Sequence, residues 1–338
     1  MTAIPAHSQP GAPKLPPMPK PARSGLWQQV PPAIFPPILG LFGLGLGWRR
    51  APEVFPVPRE AGETILGAVS LLFLFALLAY LAKIVRRPSA LSDDLRILPG
   101  RAGVSTASMA AMLFAATLLP YSPGLARGVL VAALAAHLLV IVLVARALWG
   151  APLAQRRMTP VWHLTFVGPI VAGVAGAGLG WRAATEINLI LSLGAAATIW
   201  GGSLVLLAKN PVPAPLRPTL SIHLSPAALL GIVAAALGHD GLALAFGWLS
   251  ILIMAVLLLR LGYLVAAGFS PFWGAFTFPL AAFANLMLVL APLHGGLYRG
   301  LGGGALVAAS IAIPIIAFKV LRMWAAGSLA AKTNASRV

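Results

Sequence analysis

The chain has 338 residues, 59% hydrophobic and only 9% charged; a soluble domain carries about 25% charged residues, so a water-soluble globular protein is excluded. It has no cysteine, which removes disulfides, thiolate metal sites, iron–sulfur clusters and cysteine nucleophiles. The formal charge of +17 is accounted for below by topology across a bilayer and gives no reason to expect nucleic acid.

In chain order, residues 1–30 are Pro-rich, lack an apolar signal-peptide region, and read as a disordered cytoplasmic tail. Ten runs of at least 18 residues without Asp, Glu, Lys or Arg follow. None shows the alternation of a barrel strand, so they read as helices of the length a bilayer needs. The predicted spans are 31–48, 63–83, 102–120, 125–148, 160–181, 184–208, 218–238, 241–264, 269–291 and 298–320. Short loops leave one transmembrane domain over 31–325 and a cytoplasmic C-terminal tail over 326–338.

The spans alternate in character. The first (IFPPILGLFGLGLGW), fifth (WHLTFVGPIVAGVAGAGLGW), seventh (SIHLSPAALLGIVAAALG) and ninth carry internal prolines, with Pro37, Pro169, Pro226 and Pro279 as the kink positions. The third has no kink proline but keeps Ser105, Thr106 and Ser108, and the even spans are mostly Leu, Val, Ala and Ile, such as LLFLFALLAYLAKIV. Prolines 169, 226 and 279 are 57 and 53 residues apart, about the length of two spans and two loops. This predicts an all-α polytopic protein of five parallel helical hairpins, kinked helices inside and straight helices outside, around a central pore. Each proline frees a carbonyl four residues back, expected either to face a permeating solute or to be satisfied by a neighbouring helix.

With ten spans, 18 of the Lys and Arg residues fall on the side of both termini and six on the other. The positive-inside rule then puts both termini in the cytoplasm of a bacterial-type inner membrane. His163, His223 and Arg217 lie near cytoplasmic span ends and are candidates for an anion-attracting inner mouth. For the histidines, a bond to a neighbour's backbone is the competing role. His137 sits mid-span with no evident partner, which gives no haem ligand pair. No acid lies near a span centre, unlike cation-coupled pumps and cation pores. No catalytic or metal-binding constellation is present, so neither an enzyme nor a cofactor is expected. Gly40, Gly43, Gly45 and Gly47 lie within a span and mark close packing, not a dinucleotide loop.

The ninth span opens SPFWGAFTFPLAAFA. A ring beside the kink, Phe278 or Phe276, is expected either to constrict a pore by dewetting or to pack against lipid and neighbouring helices. PPAIFPPILGLFGLGLGWR, HLSPAALLGI and FWGAFTFPLAAFA together resemble the tellurite-resistance/dicarboxylate transporter family over residues 31–325. That family includes bacterial TehA, plant guard-cell slow anion channels and fungal malate and sulfite transporters. The resemblance implies ten helices in five hairpins, often a homotrimer, with a ninth-helix phenylalanine occluding the pore. It assigns that role to Phe278, with Phe276 second. Without the third-span proline, the wall is expected to be irregular there. The implied function is movement of small anions (tellurite, halide, nitrate, sulfite or C4-dicarboxylates). The alternatives are a proton-coupled acid or sulfite carrier using His163 or His223, and a membrane-embedded enzyme or cofactor subunit.

Overall fold

The computed structural model describes residues 27–153 and 156–337; the first 26 residues of the expected tail lie outside the described residues. Its α-helices are α1 (Phe35–Arg50), α2 (Glu60–Arg86), α3 (Ser89–Arg96), α4 (Leu98–Leu118), α5 (Pro123–Trp149), α6 (Ala172–Gly178), α7 (Arg182–Lys209), α8 (Leu224–Ala236), α9 (Asp240–Leu259), α10 (Leu261–Leu264), α11 (Gly274–His294), α12 (Gly296–Ala325) and α13 (Ser328–Lys332). Among the described residues there is no strand.

Seven segments are long and apolar enough to cross a bilayer: α2, α5, α7, Ala214–Ala236 (containing α8), α9, Pro271–His294 (containing α11) and α12. The chain is an all-helical polytopic membrane protein. The other three predicted spans coincide with α1, only 16 residues long, with α4, whose Arg101 and hydroxyl residues lower its hydropathy, and with the short segment His163–Gly178.

Burial separates the segments into two sets. Ala214–Ala236 and Pro271–His294 are 78% and 72% buried, while α2, α5, α7, α9 and α12 are only 22% to 33% buried. Most of α1 and α4 is also buried. The second set turns Leu71, Leu78, Leu138, Ile190, Leu252 and Ile311 outward, each more than half exposed. Such an apolar surface belongs in hydrocarbon. The buried set makes a cycle of contacts: α1 on α4, α4 on the His163–Gly178 segment, that segment on α8, α8 on α11, and α11 back on α1. Each also packs on the exposed helix that follows it in sequence.

Proline explains where the buried helices break. Lacking an N–H and clashing with the carbonyl four residues back, it forces the preceding turn to tighten or widen. Pro32–Ile34 is a 3₁₀ turn before Pro36 and Pro37. His163–Val167 is a π turn, followed by a 3₁₀ turn holding Pro169. Ala214–His223 is 3₁₀ before Pro226, and Pro271–Trp273 is 3₁₀ before α11. In the third span α4 has proline only in its first turn, where no N–H is missed, and it runs unbroken where the other four segments carry 3₁₀ or π turns.

Two of the freed carbonyls have partners on neighbouring segments. Thr165 O, released by Pro169, accepts from His137 Nε2 at 2.9 Å. Ala275 O, released by Pro279, accepts from Ser221 Oγ at 2.8 Å. In a medium without water an unpaired carbonyl is too costly, so a neighbouring helix supplies the donor. His137, without an evident partner in sequence, therefore has two, since its Nδ1 also lies 2.7 Å from Ser108 Oγ. His137→Ala is expected to cost about 1–3 kcal/mol by orphaning Thr165 O. His137→Gln should recover part of it, as read from thermal unfolding in detergent.

Both described ends lie on one face, hereafter the termini face. There Lys83 Nζ meets Asp94 Oδ2 at 2.8 Å, both side chains fully buried. Lys83 also donates to Val30 O at 3.1 Å, and Asp94 accepts from Tyr80 OH at 3.0 Å and Ser336 N at 2.8 Å. The stretch after α12, expected as a tail, includes α13, whose Leu329 is fully buried.

Candidate functional site

Two cavities lie inside the cycle of buried helices, and each is lined from all five members of it. The one on the termini face is narrow, about 50 Å³, and its lining includes Pro36, Thr106, Leu164, Ser225 and Ala275. Thr333, just after α13, also borders it. The one toward the far face is about 360 Å³, walled by Gly43, Leu113, Val174, Leu229 and Ala282 among others.

These linings follow helical stripes. Ala275, Phe278, Ala282 and Asn285 on α11 have the i, i+3, i+7, i+10 spacing of one helix face, as do Ile222, Ser225, Leu229 and Ile232. On α1 the same rhythm runs through Pro36, Leu39, Gly43, Leu46 and Arg50. The stripes are small or apolar and carry no charge until the far-face end.

Among the described residues, Phe278 alone borders both cavities. Its ring is 5% exposed and stands between them. Neighbouring residues fix that direction. Thr277 Oγ1 donates to Pro36 O at 3.1 Å, which turns Thr277 toward α1 and the next residue toward the axis. Gly40 has no Cβ to meet Thr277, where one would lie 2.4 Å away. At Gly43 a Cβ would come within 3.3 Å of the Phe278 ring and 2.9 Å of Ala281 Cβ, so this glycine makes room for the ring's edge. Asn285 Nδ2 closes the α1–α11 seam by donating to Gly43 O at 2.8 Å.

Charge enters at the far-face rim, where Arg49, Arg50, Glu53 and Arg59 border the larger cavity. Arg49 is structural: it holds Glu63 with Nε at 2.8 Å and Nη2 at 2.5 Å, and reaches Thr117 O at 3.2 Å. Arg50 and Arg59 have only distant carboxylates, Glu53 and Glu63, each at 3.7 Å. The rim is therefore positive, the walls below it neutral, and the floor a phenyl ring. Among the described residues no three His, Asp or Glu side chains converge as a metal would need.

The family model of voltage-dependent anion channels (SLAC1) matches residues 29–321, nearly the whole described chain. The chain belongs to the SLAC1 family. No curated protein gives a match to it. The family is one of anion channels and transporters, and the match runs from the first helix past the middle of α12.

In this SLAC1-family chain the other residues singled out by sequence take varied places. Pro279 borders the narrow cavity, and Pro36 does so in place of Pro37, which is buried beside Gly274. Pro226 is buried and borders neither axial cavity. Pro169 faces away from the axis, lining a groove between α5 and α7. Phe276 also borders neither cavity; its ring stands edge-on to Trp273 at 5.7 Å. His163 and His223 do not face the narrow cavity. His163 Nε2 lies 3.1 Å from His223 Nδ1, and His223 Nε2 lies 3.1 Å from Ser203 Oγ on α7. They occur at matching depth on adjacent kinked segments, so they meet each other within the wall. Arg217 stacks on the Tyr263 ring at 3.9 Å and donates to Val212 O at 3.1 Å, a clamp between loops rather than a mouth charge. Sequence reasoning missed Arg50 and Arg59. The available signal was the pair of arginines closing α1, where cations complement the helix C-terminus.

Proposed function

We propose that the protein is a passive channel for small inorganic or carboxylate anions, formed by ten helices in five parallel hairpins around the axis and closed by Phe278. One observation carries this: Phe278 stands between two cavities that draw their walls from all five buried segments. The cycle of contacts supports the ring, and the meeting of both described ends at the Lys83–Asp94 pair supports an even number of crossings. Pro279 holds the gate residue at the helix bend. Pro37, Pro169 and Pro226 bend three of the other four walls without facing the path, and α4 runs unbroken. The excess of basic residues on the termini face supports cytoplasmic ends and an inner-membrane location. Family resemblance adds a homotrimer with one path per protomer. Tellurite, halide, nitrate, sulfite and C4-dicarboxylates all suit an uncharged wall below an arginine rim.

A proton-coupled carrier needs a titratable group on the path. His163 and His223 border neither cavity, which favours the channel. Anion-replacement currents from purified protein in planar bilayers test the reading. Reversal potentials should follow the anion gradient and ignore the cation. Uptake driven only by a pH gradient, with no current, would favour the carrier.

The rim gives a further expected result. Arg50→Gln and Arg59→Gln should each reduce anion flux several-fold at low ionic strength. The effect should fade at ~1 M salt, where the screening length is ~3 Å. Arg217→Gln should change flux little, because its guanidinium is engaged with Tyr263. Flux measured across a salt series in proteoliposomes separates the two sets.

A further inference from the structure

A third cavity, of about 400 Å³, lies off the axis on the termini face, between the ends of α4, α5 and the segment around Trp162. Arg96, Arg101 and Arg157 border it together with Val144, Leu148 and Phe166. No carboxylate lines it. Arg101 donates only to backbone, to Arg96 O at 3.1 Å and Leu95 O at 3.4 Å. The carboxylate near Arg96 is Asp93 at 3.6 Å, which Arg87 holds more closely at 2.5 Å. Arg157 has no hydrogen bond or ion pair among the described residues. Three arginines thus border one cavity whose remaining walls are mostly apolar.

Guanidinium pairs with phosphate oxygens more strongly than with any neutral acceptor, and a fork of donors suits a phosphate group. Val144 and Leu148 of the cavity's apolar lining belong to α5, which turns Val142 and Trp149 outward to the lipid side. Trp162, in the same lining, is a residue type favoured at the membrane interface. We propose that this cavity binds an anionic phospholipid, with its phosphate on Arg96, Arg101 and Arg157 and an acyl chain along Val144, Leu148 and Phe166. Leu98 and Val161 border both this cavity and the narrow axial one, so a bound lipid props the termini-face mouth. The site stands whether or not the axial cavities conduct.

The test uses the full chain in nanodiscs. Trp162 emission is isolated as the difference between wild type and Trp162→Phe, and acyl-brominated phosphatidylglycerol or phosphatidylcholine is titrated as quencher. Brominated phosphatidylglycerol should quench Trp162 at a several-fold lower mole fraction. Arg96→Gln and Arg157→Gln, both on exposed side chains, should each weaken that preference about fivefold. Arg260→Gln, an exposed arginine outside the cavity, should leave it intact. Equal quenching by the two lipids, or equal loss in Arg260→Gln, overturns the site. Reversal of the quenching by inorganic phosphate reassigns it to a soluble phosphate and overturns the lipid.

Discussion

Phe278→Ala is expected to join the two axial cavities and raise anion conductance by at least about tenfold, which requires the ring to impose a barrier of only ~1.4 kcal/mol. The ring offers a permeating anion no hydrogen bond and narrows the path to a dry constriction. Removing it leaves Ala275, Ala282 and the glycine face of α1 around a continuous void. The loss of stability should fall below the ~3–5 kcal/mol of a core Phe→Ala change, since space already lies on both sides of the ring. Phe276→Ala is the control: its ring packs on Trp273 away from the axis, so conductance should hardly change. Single-channel or macroscopic currents in bilayers compare all three proteins. Equal currents from wild type and Phe278→Ala would remove Phe278 as the gate.

Lys83→Met is expected to destabilise the protein by about 3–5 kcal/mol, because it leaves the Asp94 carboxylate buried without its cation. The pair is fully buried, and the same carboxylate holds Tyr80 OH and Ser336 N, so the damage should extend to the C-terminal stretch. The double variant Lys83→Met with Asp94→Asn removes the charge and keeps an acceptor, and should regain part of the loss. Thermal unfolding in detergent measures the stability, and protease sensitivity of the stretch after α12 reports its release. A single variant as stable as wild type would mean that the ion pair is dispensable and the ends are held by other contacts.

Much of the fold was legible because hydropathy is a property of the chain alone. The uncharged runs locate the helices, and the alternation of small, polar or proline-bearing spans with Leu- and Val-rich ones anticipates the split into buried and exposed helices, although the exposed α12 also carries Pro314. The α11 stretch pointed to Phe278 over Phe276 only with the help of family resemblance, since both rings lie beside the kink. The 3₁₀ turn at Pro271–Trp273 shifts the phase of Phe272 relative to α11, and Phe272 borders the narrow cavity while Phe276 does not. What stayed hidden depended on which way each helix is rotated. His163 and His223 look like mouth residues until two adjacent segments bring them together. Pro169 and Pro226 look like pore residues until their helices are turned, and Thr165 O looks exposed until His137 arrives from α5. Arg50 and Arg59 gather only when the far-face ends converge. The i, i+3, i+7 stripes of small and apolar residues along the axis came to light only with the cavity linings.

Because the chain has no native cysteine, single cysteines can report directly on a path divided by one ring. Ala102→Cys borders the narrow cavity and Ala282→Cys the wide one. With a small membrane-impermeant thiol reagent, Ala102→Cys should react only from the termini face and Ala282→Cys only from the far face. Adding Phe278→Ala should let each react from both faces. Modification of both sites from a single face in the parent protein, or no crossing after Phe278→Ala, would contradict an axial path closed at that residue.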